Sequence, residues 1–298
     1  MNRDMGSNAA NTAEVGEAPK CGLCGGAGTS WSTKAGYLLF SCTSCGNGFL
    51  PQGEIPAQLE ELYSREYFEG KRSTGYPAYL AEAPMLERNF EDRLAWIERL
   101  HAPGRILDVG TAYGFFLRVA RARGWDAMGV EIAADCAEEA ARLAEVPVVA
   151  GDFLDADLPA DFDVITLFDV IEHMRDPMAC LRRAADLLNP GGLLVIETGD
   201  VASRWARLLG RHWYFLDPPQ HLFYFSAAGL KQALTQCGFS GGTELRRFGR
   251  RVSLTNIGFK LQAAAPRSLK RLMGGLGRLP GSVYLKFGDA MVLAARKP

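Results

Sequence analysis

The chain has 298 residues, with 33 Lys+Arg against 34 Asp+Glu. That length allows a full α/β core plus one or two small appendages, and the balanced charge removes the global positive field on which sequence-independent nucleic-acid binding relies. No apolar run approaches the roughly 18 residues of a membrane span, and Met1 to Lys20 lacks the apolar centre of a signal peptide, so a cytoplasmic protein acting on a small-molecule or carrier-bound partner is expected.

In chain order, residues 1–20 are rich in Asn, Ala, Gly and Glu without hydrophobic period and read as a disordered tail. Residues 21–50 read as a self-contained zinc ribbon. Cys21-x-x-Cys24, 17 residues, then Cys42-x-x-Cys45 is the spacing of a four-thiolate structural zinc site, with glycines for the tight turns around the metal. Residues 51–100 carry apolar side chains at helical spacing and form a helical lead-in or lid, with Tyr67, Phe68, Tyr76 and Tyr79, together with Trp213 and Tyr214, as candidate lid aromatics. Residues 101–249 alternate short apolar strands (RILDVG, AMGVEI, VPVVAGD, DVITLFD, GLLVIET) with helices. This pattern predicts a Rossmann-like parallel sheet covered by helices on both faces, with its ligand at the carboxyl ends of the strands. Residues 250–298 comprise a basic, partly helical lid segment, including Arg267 to Arg278, and a final strand.

The first strand of that series ends at Asp108 and runs into Gly110-Thr-Ala-Tyr-Gly114, a turn whose glycines let backbone approach a nucleotide closely. A dinucleotide turn wants glycines at its first, third and sixth positions to seat a pyrophosphate; Ala112 and bulky Phe115 occupy the last two, which disfavours NAD or FAD. Glu131 ends the second strand, 23 residues after Asp108, where a carboxylate can accept ribose hydroxyls. Asp152-Phe153 follows the third strand, and Phe168-Asp169 ends the fourth. Singly, each acid reads equally well as a helix cap. In register they make a nucleoside site.

DVGTAYG, VEI, GDF, LFDVIEHMRDP and LLNPGGLLVIET together resemble the successive motifs of class I S-adenosylmethionine-dependent methyltransferases, over about residues 86–298. The resemblance implies that Asp108, Gly110 and Gly114 hold the methionine portion, Glu131 the ribose, and Asp152 with Phe153 the adenine; Phe168 and Asp169 remain cofactor-site candidates by their place at the end of the fourth strand. Ala112 departs from the family, which more often has Gly there.

The acceptor is expected after the fifth strand, in RHWYFLDPPQHLFYFSAAGL. QHLFYFS is similar to a segment of sugar C-methyltransferases, a family that also begins with a cysteine-rich zinc module, and this similarity makes His221 the candidate general base. Gln220 stands where those enzymes have Glu, and their long additional C-terminal domain is missing. Asp169-Val-Ile-Glu172-His173 resembles the acid-x-x-Glu-His run of ubiquinone-pathway O-methyltransferases, which in some members binds a divalent cation; a structural role for Glu172 and His173 in the loop is preferred here. The sequence therefore predicts C- or O-methylation of a small polar metabolite, a sugar nucleotide or biosynthetic intermediate. The alternatives are a nicotinamide-dependent oxidoreductase and a non-catalytic scaffold of ribbon and Rossmann domain.

Overall fold

The computed structural model describes residues 18–57, 80–240, 242–255 and 281–298. Nearly all of the expected tail, the four aromatics between Tyr67 and Tyr79, and the basic piece Arg267 to Arg278 lie outside the described residues. Two cysteine knuckles open the described chain. Each ends on a glycine in the left-handed region, Gly25 at φ 71° and Gly46 at φ 69°, whose N–H returns to the carbonyl of Cys21 (2.8 Å) or Cys42 (3.0 Å). A side chain there would cost about 1–2 kcal/mol. Strands β1 (Gly28–Lys34) and β2 (Tyr37–Cys42) form a hairpin between the knuckles, and β3 (Gly48–Phe49) pairs with β2.

The other edge of β3 pairs with Phe223–Tyr224, from the far half of the chain. This corrects the expectation of a self-contained module. Phe49 and Leu50 are each 1% exposed and belong to the same apolar cluster as Leu222, Phe223 and Phe225. A module of this size buries too little of its own apolar surface, and it takes the remainder from the main domain.

Helix α1 (Ala83–Leu100) ends at His101, whose φ of −148° is extended. Then follow β4 (Arg105–Val109), α2 (Phe115–Ala122), β5 (Asp126–Glu131), α3 (Ala134–Ala144), β6 (Val148–Ala150) and β7 (Phe162–Phe168). The second half holds α4 (Pro177–Leu187), β8 (Leu188–Gly199), α5 (Arg204–Leu209), β9 (Phe223–Tyr224) and α6 (Ala227–Gln236). It closes with β10 (Thr243–Arg246), β11 (Arg250–Ser253), β12 (Ser282–Leu285) and β13 (Ala290–Arg296).

The main sheet has seven strands in the order β10-β13-β8-β7-β4-β5-β6. Strands β6, β5, β4, β7 and β8 are parallel, and β13 enters antiparallel between β8 and β10. The alternating pleat explains why the central strands read as unbroken apolar runs. Ile106, Val164 and Val195 face a cluster built with α1 and α2, while Leu107, Ile165 and Leu194 face one that contains α4 and α6 residues such as Leu181 and Leu230.

Two elements differ from expectation. Strand β10 gave no signal in TELR, whose burial pattern is one half-buried and three exposed residues. At the start of the basic, partly helical segment, residues 250–253 form β11, paired with β12. The Asn89 amide on α1 fixes that strand, donating to the Arg251 carbonyl (3.1 Å) and accepting from the Arg251 N–H (2.8 Å).

Candidate active site

The carboxyl ends of β4, β5, β7 and β8 gather four acids, Asp108, Glu131, Asp169 and Glu197. Asp108 is 4% exposed and accepts a 2.6 Å hydrogen bond from the Thr166 hydroxyl; burial, with Glu131 nearby, pushes its carboxyl up to about 7. The turn that follows has three left-handed residues, Gly110 (φ 68°), Ala112 (φ 49°) and Gly114 (φ 75°). A Cβ on Gly110 would meet Val170 at 2.7 Å, and one on Gly114 the Ala140 carbonyl at 3.0 Å. Ala112 accepts the strain because its N–H donates to Glu131 Oε2 at 2.8 Å. Glu131 Oε1 accepts from Ala133 N at 3.1 Å. The carboxylate is thereby anchored by two backbone donors, and its remaining lone pairs can take a diol.

Asp152 accepts from Leu154 N (2.9 Å), and Phe153 is buried beside it. These two therefore stand next to the β5 end, where Gly151 N donates to the Glu131 carbonyl. Phe168 goes elsewhere: its ring lies edge-on to Phe116 (4.9 Å between centroids) and tilted against Phe90 (5.7 Å), within the α1–α2 layer.

The Asp169, Glu172 and His173 set, the less favoured cation reading of the sequence, does not gather as a ligand group. Both Asp169 oxygens accept from Arg250 at 2.9 Å, and Arg250 also reaches Glu197 Oε1 at 3.1 Å. What converges instead is Glu172, His173 and His221, with one ligand atom of each within 4.8 Å of the others. Glu172 is 1% exposed, neither of its oxygens has a hydrogen-bond partner of good geometry, and burial followed by Asp169 raises its carboxyl well above the ordinary range. The imidazoles of His173 and His221 meet edge to face at 4.7 Å. His173 Nδ1 lies 2.9 Å from the Gln220 carbonyl and His221 Nδ1 lies 2.6 Å from the Phe215 carbonyl. A carbonyl only accepts, so each Nδ1 carries the hydrogen and Nε2 is the basic nitrogen. Burial lowers His221 to about 4, and burial with His221 lowers His173 to about 3, so both are neutral at pH 7.

Sequence reading missed the charged network beneath this site. Arg93 on α1, 2% exposed, grips Glu197 with Nε to Oε2 and a second guanidinium N–H to Oε1, both at 2.8 Å. Burial opposes ionisation of Glu197, but Arg93 and Arg250 outweigh it and hold the carboxyl at about 2. An acid within the apolar run LLVIET was the available signal, since a buried carboxylate needs a cation. Trp213 is core rather than lid: it is 2% exposed, and its indole N–H donates to Asp289 at 2.9 Å.

In the ribbon, the Cys21 and Cys45 sulfurs lie 3.8 Å apart, those of Cys24 and Cys42 3.4 Å, and all four fall within 4.8 Å of one another. A tetrahedral Zn–S₄ centre with bonds of about 2.3 Å puts sulfurs about 3.8 Å apart, so this donor set fits zinc.

Comparison with known proteins places the chain in a family. A family model described as a methyltransferase domain matches residues 82–242. The chain belongs to that family, within the class I S-adenosylmethionine-dependent methyltransferases. Among curated relatives, the ubiquinone biosynthesis O-methyltransferase of Idiomarina loihiensis is 32% identical over 117 residues, covering 36% of this chain and 48% of that protein. Its counterpart in Xanthomonas campestris pv. campestris is 31% identical over 108 residues, covering 34% of this chain and 45% of that protein. The chain thus spans about half the length of these curated relatives. Among solved structures, a SAM-dependent methyltransferase of Archaeoglobus fulgidus superposes with a TM-score of 0.51 at 20% identity, covering 74% of this chain and 99% of that one. One from Thermotoga maritima gives 0.52 at 18%, covering 78% and 98%. No described helix is long and apolar enough to cross a membrane.

Proposed function

We propose that the protein transfers the methyl group of S-adenosylmethionine to a small polar metabolite, a sugar nucleotide or biosynthetic intermediate, in the cytoplasm. The observation that carries this reading is the Glu131 carboxylate, locked by the Ala112 and Ala133 N–H groups beside the left-handed turn after β4. In this reading Asp108, with Gly110 and Gly114, binds the amino-acid end of the cofactor, Glu131 the ribose, and Asp152 with Phe153 the adenine. Asp169 acts through Arg250, and Phe168 contributes through its place at the β7 end rather than through its ring.

Methyl transfer is an in-line displacement: the sulfur–methyl bond breaks with its electron pair left on sulfur, and the acceptor–methyl bond forms. Alignment supplies most of the rate. The acceptor's proton goes to His221 Nε2, since Nδ1 is committed to the Phe215 carbonyl. Both the inserted antiparallel β13 and Phe115, 2% exposed at the first position of α2, weigh against a nicotinamide enzyme. Four thiolates in tetrahedral reach support structural zinc in the ribbon, with no open position for catalysis. Elemental analysis of protein purified without chelator is expected to find one zinc per chain; none would remove the assignment.

The test of function is incubation with methyl-labelled S-adenosylmethionine and a metabolite extract, with mass spectrometry of the products and Glu131→Ala as the negative control. Binding provides a second, independent check. An ionised Asp108 is needed to hold the cofactor's ammonium group, yet burial keeps this carboxyl protonated below about 7 in the free protein. Binding therefore releases a proton on the acid side of 7, and S-adenosylhomocysteine affinity should fall as pH drops below it, by up to about tenfold per unit. Calorimetry showing affinity flat from pH 5.5 to 7 would remove Asp108 from the ammonium site.

A further inference from the structure

We infer that Asn47 is a positioning residue that couples the four-thiolate module to the segment carrying His221, an inference that rests on the proposed role of that histidine. Asn47 is completely buried, two residues beyond the last cysteine. Its amide N–H₂ donates to Cys45 Sγ at 3.4 Å. Its carbonyl oxygen accepts from Ser226 N at 2.7 Å and from the Ser226 hydroxyl at 3.1 Å. Ser226 in turn caps α6, accepting from Gly229 N at 3.0 Å. The fit is close: a Cβ on Gly229 would lie 2.3 Å from the Asn47 amide.

Immediately after Asn47, β3 sets the register of the same segment. Gly48 pairs with Tyr224, Phe49 with Phe223, and Leu50 N donates to the Leu222 carbonyl at 2.8 Å. Leu222 N donates to the Glu172 carbonyl at 2.8 Å, which seats His221 against the loop after β7. Only a carboxamide satisfies both ends of this link. Aspartate would lose the donor to sulfur and add a charge beside the thiolates, and leucine would leave Ser226 N unsatisfied in the core.

The strength of the link depends on the state of the sulfur. A metal-bound thiolate is a charged acceptor and holds the Asn47 N–H firmly, whereas a thiol or disulfide sulfur accepts weakly. Loading of the ribbon therefore orders Leu222–Ser226 and, with it, His221. The module's place in the reaction is as a fixed wall that registers the base, without contact with the reacting atoms.

Hydrogen exchange on the intact protein tests this. Metal-loaded wild type is compared with chelator-stripped, reduced wild type, Asn47→Ala, Asn47→Asp and a ribbon control, Thr43→Val, which removes only the bond from the Thr43 hydroxyl to the Ala27 carbonyl. Amides of 222–226 should exchange about 10–100-fold faster in the stripped protein and in both Asn47 variants, as expected for a buried donor left unsatisfied. The His221 ring ¹⁵N signals should lose their fixed Nδ1–H form in the same samples. Protection of 105–131, S-adenosylhomocysteine affinity and the Thr43→Val pattern should hold within about twofold. Unchanged protection of 222–226 after stripping would overturn the coupling, as would equal acceleration in 105–131. If the Asn47 variants do not fold, metal titration of stripped wild type decides, since protection must then track metal content. Failure to bind S-adenosylhomocysteine would count against the methyltransferase reading and leave the exchange result standing.

Discussion

His221→Ala is expected to lower turnover by about 10²–10⁴-fold, the range for loss of a positioned base, while S-adenosylhomocysteine affinity stays within about twofold. The separation follows from the architecture. Glu131 and the left-handed turn stand at the ends of β5 and β4, whereas His221 is held by the Phe215 carbonyl in the segment before β9, beside the loop after β7. Acidification gives the same answer by another route. Burial lowers His221 to about 4, so in the free enzyme it remains neutral until far below pH 6.5, and a rate decline on its account sets in only near its own value. A variant that retains full activity on the acceptor identified by labelling would remove His221 as the base.

Arg93→Ala is expected to cost about 3–5 kcal/mol of stability, read as a shift of the urea unfolding midpoint. The change leaves Glu197, 3% exposed, with Arg250 as its remaining charged partner, and Arg250 is already shared with Asp169. Exposed pairs such as Arg105 with Asp126 at 3.2 Å contribute little by comparison. Arg93→Met combined with Glu197→Gln should recover part of the loss, because the buried charge is then gone too. A loss below about 1 kcal/mol for Arg93→Ala would mean that Arg250 alone neutralises the site.

The parallel core was legible because strand and helix periods alternate cleanly from Arg105 to Thr198, and because four acids fall in register at strand ends. The four cysteines announced themselves by spacing alone. What stayed hidden depends on contacts distant in sequence. Nothing near Asn47 points to Ser226, and nothing near Arg250 points to Asp169, 81 residues away. In the acid-x-x-Glu-His run, whose preferred reading is structural, a left-handed Asp169 (φ 55°) turns its carboxylate to Arg250, and the distant His221 joins Glu172 and His173. Short edge strands such as β10 are set by the partner they meet, which local composition does not encode.

The borrowed strand of the ribbon also sets a timetable for synthesis. Asn47 and Ser226 are 179 residues apart, so at roughly 5–20 residues per second the free edge of β3 waits about 9–36 s before β9 exists to cover it. During that interval the nascent module presents unpaired backbone and four thiols together, a combination open to mispairing with other chains. Early capture of a metal by the knuckles would keep those thiols out of reach until the rest of the chain arrives.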